Sequence, residues 1–476
     1  MIFSSSLFLL YFLPIFLLVY HLVSIKFKNW VLLLASLFFY SWGAPKFVFV
    51  VVSSVIIDFY IINAMHKSQI KKSKLLLLTL SISINLGLLI YFKYANFFVE
   101  NLNGLLSSFG ANNMKWTSVA LPIGISFYTF QTLTYSIDVF RKVHKPLKNP
   151  QQYLVYIMMF PQMIAGPIVR FNQIADQIEN REALESIDNK LLGLFRFGIG
   201  LAKKVLIANV LGVEADRVFA MGEGDLTTSI AWLGILAYTF QIYYDFSGYS
   251  DMAIGLGRVL GFKFPENFNN PYVSQSITEF WRRWHMTLGS WMKDYLYIPL
   301  GGNRVNSKNK LYFNLWFVFL ISGLWHGAAW CFVFWGAYHG IFLILEKLFL
   351  LNFYKKIGKY PSIFITFFIT ILGWVLFRAD SLHQVKYFVK KMFVFTPNEI
   401  ASYIDREFIV ILIIAIAFAF ITLFKFGKQW QDTLFFNDKY SIKGYVLMTI
   451  ISLSLLLLCI SSITSSGFNP FIYFRF

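Results

Sequence analysis

Apolar runs long enough to cross a bilayer recur along this chain, at about residues 6–24, 30–64, 74–94, 116–140, 228–260, 311–348, 361–378, 406–424 and 443–460. Most are separated by short basic turns. The run from Leu311 to Leu348 is almost wholly apolar and exceeds the roughly 20 residues of one crossing, so it predicts two spans or one broken helix. The pattern changes character in two places. Residues 171–192 crowd Asp176, Glu179, Arg181, Glu182, Glu185 and Asp188 together and read as a surface helix or loop. Residues 276–296 are amphipathic instead. Ser276 and Glu279 have capping-box spacing, and Trp281, Trp284, His285, Leu288, Trp291, Met292, Tyr295 and Leu296 share an arc of about 140° on one helix. Arg282, Arg283, Lys293 and Asp294 project from the other side, which predicts one interfacial helix ended by Pro299 and Gly301-Gly302. His285 lies on its apolar face.

Polar interruptions within the apolar runs mark where chemistry or helix contacts belong. Asp58 and Asn63 suit helix-to-helix hydrogen bonds. Pro122 and Gly124, then Pro161, Gly166 and Pro167, predict broken or re-entrant helices beside Gln131, Thr132, Thr134 and Asp138, as a cavity wall or as simple kinks. Lys203 and Lys204 are expected to snorkel to an interface. Asp245 and Asp251, with Tyr243, Tyr244 and Tyr249, either line a substrate path or leave Asp251 paired with Arg258. His383 reads as solvated.

Composition narrows the class. With 57% hydrophobic and only 14% charged residues, 476 residues cannot cover a soluble surface, so the chain is a polytopic membrane protein. The first run lacks a basic leader and a small-residue cleavage site, and Pro14 interrupts it, so it is expected to be a retained span. A formal charge of +18 would suit nucleic acid if gathered on one face, but the basic residues are dispersed in short loops. The clusters at 67–74, 141–148, 282–310, 355–359 and 386–391 are expected on the cytoplasmic side. Cys331 and Cys459 both lie in apolar runs, which leaves no disulfide framework.

Three of the seven histidines fall between residues 276 and 340. Two copies of one pattern, Gly323-Leu-Trp-His326-Gly327 and Gly336-Ala-Tyr-His339-Gly340, set an imidazole beside a G-x-x-x-G helix contact. An ionisable group at membrane depth is costly, which marks it as a functional candidate. On a straight helix the 13 residues from His326 to His339 rotate by about 220°, so His339 is expected on another face in a structural role. No H-x-x-x-H, H-E-x-x-H, P-loop or G-x-S-x-G pattern is present, so neither a metal site nor a serine nucleophile is expected.

The stretches WRRWHMTLGSWMKDYLYIPLGGNR and GLWHGAAWCFVFWGAYHG resemble the membrane-bound O-acyltransferase superfamily, specifically the bacterial branch that O-acetylates alginate, peptidoglycan and other exported polysaccharides. LPIGISFYTFQTLTYSIDVFR through FPQMIAGPIVRF, and YYDFSGYSDMAIGLGRVLGFKFPENFNNPY, match it in style. The resemblance implies an all-α polytopic membrane protein, about 10–13 transmembrane or re-entrant helices around a central cavity, built as one domain over 1–476. Within it, 1–115 are N-terminal spans, 116–400 the catalytic core, and 401–476 C-terminal spans with an aromatic tail. It implies His326 as the catalytic base and His285 as the second polar position, which polarises the acyl carbonyl or holds the other substrate. It implies acetyl-CoA as the donor with no bound cofactor, a polysaccharide acceptor, an SGNH-type extracytoplasmic partner, and a multi-pass place among the lipids of the bacterial cytoplasmic (inner) membrane. D-alanyl transfer to teichoic acid, acylation of a lipid, and a polysaccharide transporter or flippase remain the alternatives.

The tail Phe471-Ile-Tyr473-Phe-Arg-Phe476 has four aromatic residues in six. The residues from Ser461 onward reach roughly 50 Å when extended, enough to fold back into the roughly 30 Å bilayer core. Its F-x-Y-x-x-F pattern resembles the end of the small membrane peptide that accompanies the D-alanyl branch. Tyr473 is therefore either an acyl acceptor, since a phenol with pKa about 10 forms an activated ester, or an aromatic anchor at the interface.

Overall fold

Residues 1–396, 405–437, 439–465 and 467 are described by a computed structural model, and among them every regular element is helical. Tyr473 and the rest of the aromatic tail lie outside the described residues. Among the described residues, six helices are long and apolar enough to cross a membrane: Phe47–Lys67, Lys71–Ser108, Trp330–Ile357, Lys359–Arg378, Arg406–Leu423 and Ile442–Ser465. The other apolar runs are folded as shorter or more polar helices, among them Phe8–Leu22, Ile125–Phe140, the 32-residue Thr228–Val259 and Lys308–His326. The chain is a multi-pass membrane protein.

It divides into two compact units, residues 1–186 with 257–264, and residues 187–256 with 265–476. In the first, buried Asp58 is the junction of four helices. It accepts hydrogen bonds from Ser81, from Asn85 at 3.2 Å and from the Tyr153 hydroxyl at 2.7 Å, while Ser81 also meets Ser136 at 2.7 Å. Helix-to-helix bonding, as expected for Asp58, is what the structure has. The proline and glycine breaks fall as expected too: residues 109–124 are turns and irregular chain, and the Pro150–Met158 helix gives way to a short Phe160–Met163 turn. The charged stretch begins as the Phe171–Glu179 helix, which buries Phe171, Ile174 and Ile178 and turns Asp176 and Glu179 outward.

The second unit holds His285, His326 and His339. Ile187–Ala202 continues through a π-helical turn, Lys203–Ala208, into Asn209–Phe219. Lys203 and Lys204 sit on that turn, and the expectation that they snorkel fails. The crossing Thr228–Val259 helix offers carboxylates, so Lys203 pairs with Asp251 at 2.6 Å and Lys204 with Asp245 at 2.6 Å. Asp251 also takes Arg196, at 2.6 Å, so its partners come from the 187–208 stretch and not from Arg258. His383 is exposed, as read.

The 311–348 run is two helices, Lys308–His326 and Trp330–Leu345, broken at residues 327–329. They pack side by side through the two repeats. A Cβ on Gly336 would stand 3.2 Å from the Gly323 Cα, and one on Gly340 3.0 Å from the Trp316 Cα. Only glycine lets the backbones come this close, and in lipid such contact replaces the hydrophobic effect as the source of helix association. Gly336→Val is therefore expected to cost about 1–3 kcal/mol or more by forcing the helices apart. Gly104→Ala, where nothing lies within 4 Å, should be neutral or slightly stabilising. Thermal melts of the two purified variants in one detergent check this, and equal melting temperatures would contradict it.

Candidate active site

The site forms where three segments meet: residues 267–269, the 276–292 segment, and the helical hairpin just described. Ser276 accepts from the Glu279 backbone N–H at 3.0 Å, so the helix starts where the spacing placed it. The reciprocal half of the box is absent, because Glu279 accepts from Gln275 N–H instead. A second cap comes from the hairpin. The buried Glu346 carboxylate accepts from the backbone N–H groups of Ile277 and Thr278 and from the Thr278 hydroxyl at 2.6 Å. This joins the helix start to the far end of Trp330–Leu345 and its continuation, an anion at a helix N-terminus.

The single interfacial helix expected over Trp281–Leu296 is not what forms. Ile277–Arg283 ends, His285 takes left-handed backbone angles (φ +45°), and a new helix runs Met286–Met292 before a π-helical turn. A left-handed non-glycine residue is strained and persists only where its surroundings hold it. Residues 267–269 supply that hold. Asn269 N–H donates to the Arg283 carbonyl and Met286 N–H to the Asn267 carbonyl, each at 2.9 Å. The groups freed by the break are thus paired with backbone.

Asn267 also sets the chemistry of His285. Its Oδ1 lies 3.0 Å from His285 Nδ1 and accepts from the Thr287 hydroxyl at 2.8 Å, while its Nδ2 donates to Ser250 at 3.0 Å. An acceptor at Nδ1 places the ring proton there and leaves Nε2 as a lone pair. Nε2 is buried without a hydrogen-bond partner among the described residues. Burial lowers the affinity of this imidazole for a second proton, so it is neutral near pH 7.

His326 ends the first hairpin helix and is buried. Its ring stands edge-on to Trp335 at 5.1 Å and to Phe377 at 5.2 Å. Trp325, its neighbour in sequence, lies 4.9 Å from the His326 ring and 6.2 Å from the His285 ring, so both imidazoles neighbour one indole. His339 is buried against Trp281 at 5.0 Å and Trp335 at 5.1 Å. The straight-helix reasoning that separated it from His326 does not apply, because the break at 327–329 folds the second helix back and sets both rings against Trp335. Asn267 lies in the YYDFSGYSDMAIGLGRVLGFKFPENFNNPY stretch, and nothing in its sequence spacing announces a contact 18 residues away. Tyr473 is not among the described residues.

The match to known proteins extends over most of this architecture. Residues 37–377 fit the model of the membrane-bound O-acyltransferase family. The chain belongs to that family. Along its full length it is 39% identical to the probable alginate O-acetylase of Pseudomonas putida, covering all of both chains. It is 38% identical to the peptidoglycan O-acetyltransferase of Helicobacter pylori over 82% of this chain and 80% of that one. Similarity to the teichoic acid D-alanyltransferase of Bacillus subtilis is 30%, over 55% of this chain and 70% of the other. As a membrane-bound O-acyltransferase the chain is an enzyme, and the transport reading gives way to acyl transfer.

Asn267 fixes the orientation of the His285 ring in this geometry. Asn267→Ala removes the acceptor that fixes the His285 ring, and turnover is expected to fall about ten- to a hundredfold, as for groups that orient metal-bound imidazoles. Asn267→Asp keeps the acceptor and should recover most of it. Equal turnover in all three proteins, at equal folded yield, would remove Asn267 from the site.

Proposed function

We propose that this enzyme takes an acetyl group from cytoplasmic acetyl-CoA and delivers it across the bacterial cytoplasmic membrane for O-acetylation of an exported polysaccharide, of the alginate or peptidoglycan kind. The observation behind this is the buried His285–Trp325–His326 arrangement, two imidazoles beside one indole, one of them oriented by Asn267. Acyl transfer needs a group to take the hydroxyl proton as oxygen attacks the thioester carbonyl. His326 is that base. A neutral His285 with its proton on Nδ1 cannot donate to a carbonyl oxygen from Nε2, so of its two roles we assign the second: it accepts a hydrogen bond from the attacking hydroxyl and holds it. The C–O bond forms, the C–S bond breaks, and the proton on His326 passes to the departing thiolate of CoA.

The acceptor class rests on likeness along the whole chain to an alginate O-acetylase and over most of it to a peptidoglycan O-acetyltransferase, against partial likeness to a D-alanyltransferase. That favours acetyl over D-alanyl transfer and a polysaccharide over a lipid acceptor. We assign Tyr473 as the first acyl acceptor: its phenol oxygen takes the acetyl group as an aryl ester. An SGNH-type partner outside the membrane then moves the acetyl group to a sugar hydroxyl and returns the phenol.

With purified protein and labelled acetyl-CoA, wild type should release CoA, and His326→Ala should lose at least about a hundredfold, the scale of a general base. In cells, Tyr473→Phe should keep the membrane protein and abolish polysaccharide acetylation. Near-normal release from His326→Ala would remove it from the mechanism, and acetylation that persists in Tyr473→Phe would leave that residue an anchor only.

A further inference from the structure

The second unit contains a cavity of about 500 Å³ that the reaction above does not use. Its walls are apolar residues of three helices: Ile199 and Leu206 on the 187–208 stretch, Ile411 and Ile414 on Arg406–Phe420, and Leu455 on Ile442–Ser465. The last two helices present most of their apolar surface outward, with Ile413 60% and Leu457 69% exposed, so the cavity lies among lipid-facing walls. The Lys425–Phe435 helix covers one side, with Trp430 and Gln431 on the lining.

One end of this apolar space is charged, with both signs. Arg196 lies between Asp251, at 2.6 Å, and Glu266, at 2.7 Å, and Lys203 pairs with Asp251 at 2.6 Å. All four line the cavity. Asp251 is buried between two cations, whereas the Lys203 and Glu266 side chains keep 24% and 30% of their surface open. Two hydroxyls add to this. Ser247, one helical turn before Asp251, and Thr422 both line the cavity, and neither hydroxyl has a hydrogen-bond partner among the described residues. Hydroxyls on such helices normally bond the carbonyl four residues back. Thr239 does so to Ile235 at 2.7 Å and Ser452 to Met448 at 2.8 Å. A buried hydroxyl without that bond costs free energy unless a ligand accepts from it.

We propose that this cavity binds one membrane phospholipid with a zwitterionic ethanolamine head group. Lys203 holds the phosphate, Glu266 accepts from the ammonium, Ser247 and Thr422 donate to the ester carbonyls, and an acyl chain lies against Ile411, Ile414 and Leu455. The volume falls within the roughly 300–1,000 Å³ of ordinary small-molecule sites. A purely anionic lipid would satisfy Lys203 but bring no cation to the open face of Glu266, which keeps 30% of its side-chain surface exposed beside Arg196. Tyr243 and Phe268 close the inner wall and pack on Trp284, at 6.2 and 5.1 Å, so the lipid braces the layer next to His285.

The test uses the full-length protein, reconstituted with equal amounts of phosphatidylethanolamine and phosphatidylglycerol of matched chains, re-extracted in mild detergent and weighed by native mass spectrometry. Wild type should retain phosphatidylethanolamine by about tenfold over phosphatidylglycerol, the scale of one charge-assisted contact. Ile414→Trp fills the cavity and should lose the lipid while still releasing CoA from acetyl-CoA. Glu266→Gln leaves the space open and should keep a lipid but lose the preference, which preserves the test if the tryptophan variant fails to fold. Equal retention of the two lipids, an unchanged preference in Glu266→Gln, or displacement of the lipid by acetyl-CoA would overturn the proposal; the last would make the cavity a donor path.

Discussion

The contact of two helix backbones at Gly323 and Gly336 determines where the candidate site's histidines can stand. Because the hairpin closes there, His326 at the end of one helix and Trp335 and His339 on the next come to lie in a single aromatic layer. The far end of the second helix, through Glu346, caps the helix that leads to His285. A side chain on either glycine would act on both imidazoles at once, through one displacement. Membrane burial makes such coupling strong, since no surrounding water can satisfy groups that are moved out of register.

The left-handed turn at His285 is the second constraint, and it depends on the first unevenly. Its position is fixed by the cap from Glu346, but its conformation is held by Asn267 and Asn269 from a segment that is not helical. Strain at a single residue is tolerated where neighbouring hydrogen bonds compensate for it. The same asparagine that satisfies the backbone also selects the ring tautomer, so shape and protonation state are decided together.

The apolar runs, the break within 311–348 and the helix-packing role of the two G-x-x-x-G copies were legible in the sequence because each depends on local periodicity or on residue size. The turn at His285 was not. WRRWHMTLG contains no glycine or proline at the break, and its uninterrupted apolar arc reads as one helix; the turn exists because of partners 16 to 18 residues upstream. Lys203 and Lys204 were misread for a related reason, since their carboxylate partners sit on a crossing helix that no spacing reveals. His339 was set apart by assuming a straight helix across Gly327, where the chain in fact turns. The roles proposed for His326 and His285 come from likeness to a family and not from periodicity, and Asn267 needs the fold.

The central claim is that His285 and His326, both beside Trp325, serve one reaction step as a unit. Turnover of acetyl-CoA by the two single alanine variants and the double variant, measured on equally folded protein, tests it most directly. Groups that act as a unit are strongly non-additive. The account predicts that the double variant is no slower than the worse single variant by more than about threefold, well under the product of the two losses. A double variant whose loss equals the product of the two single losses would show two independent contributions and contradict the shared site.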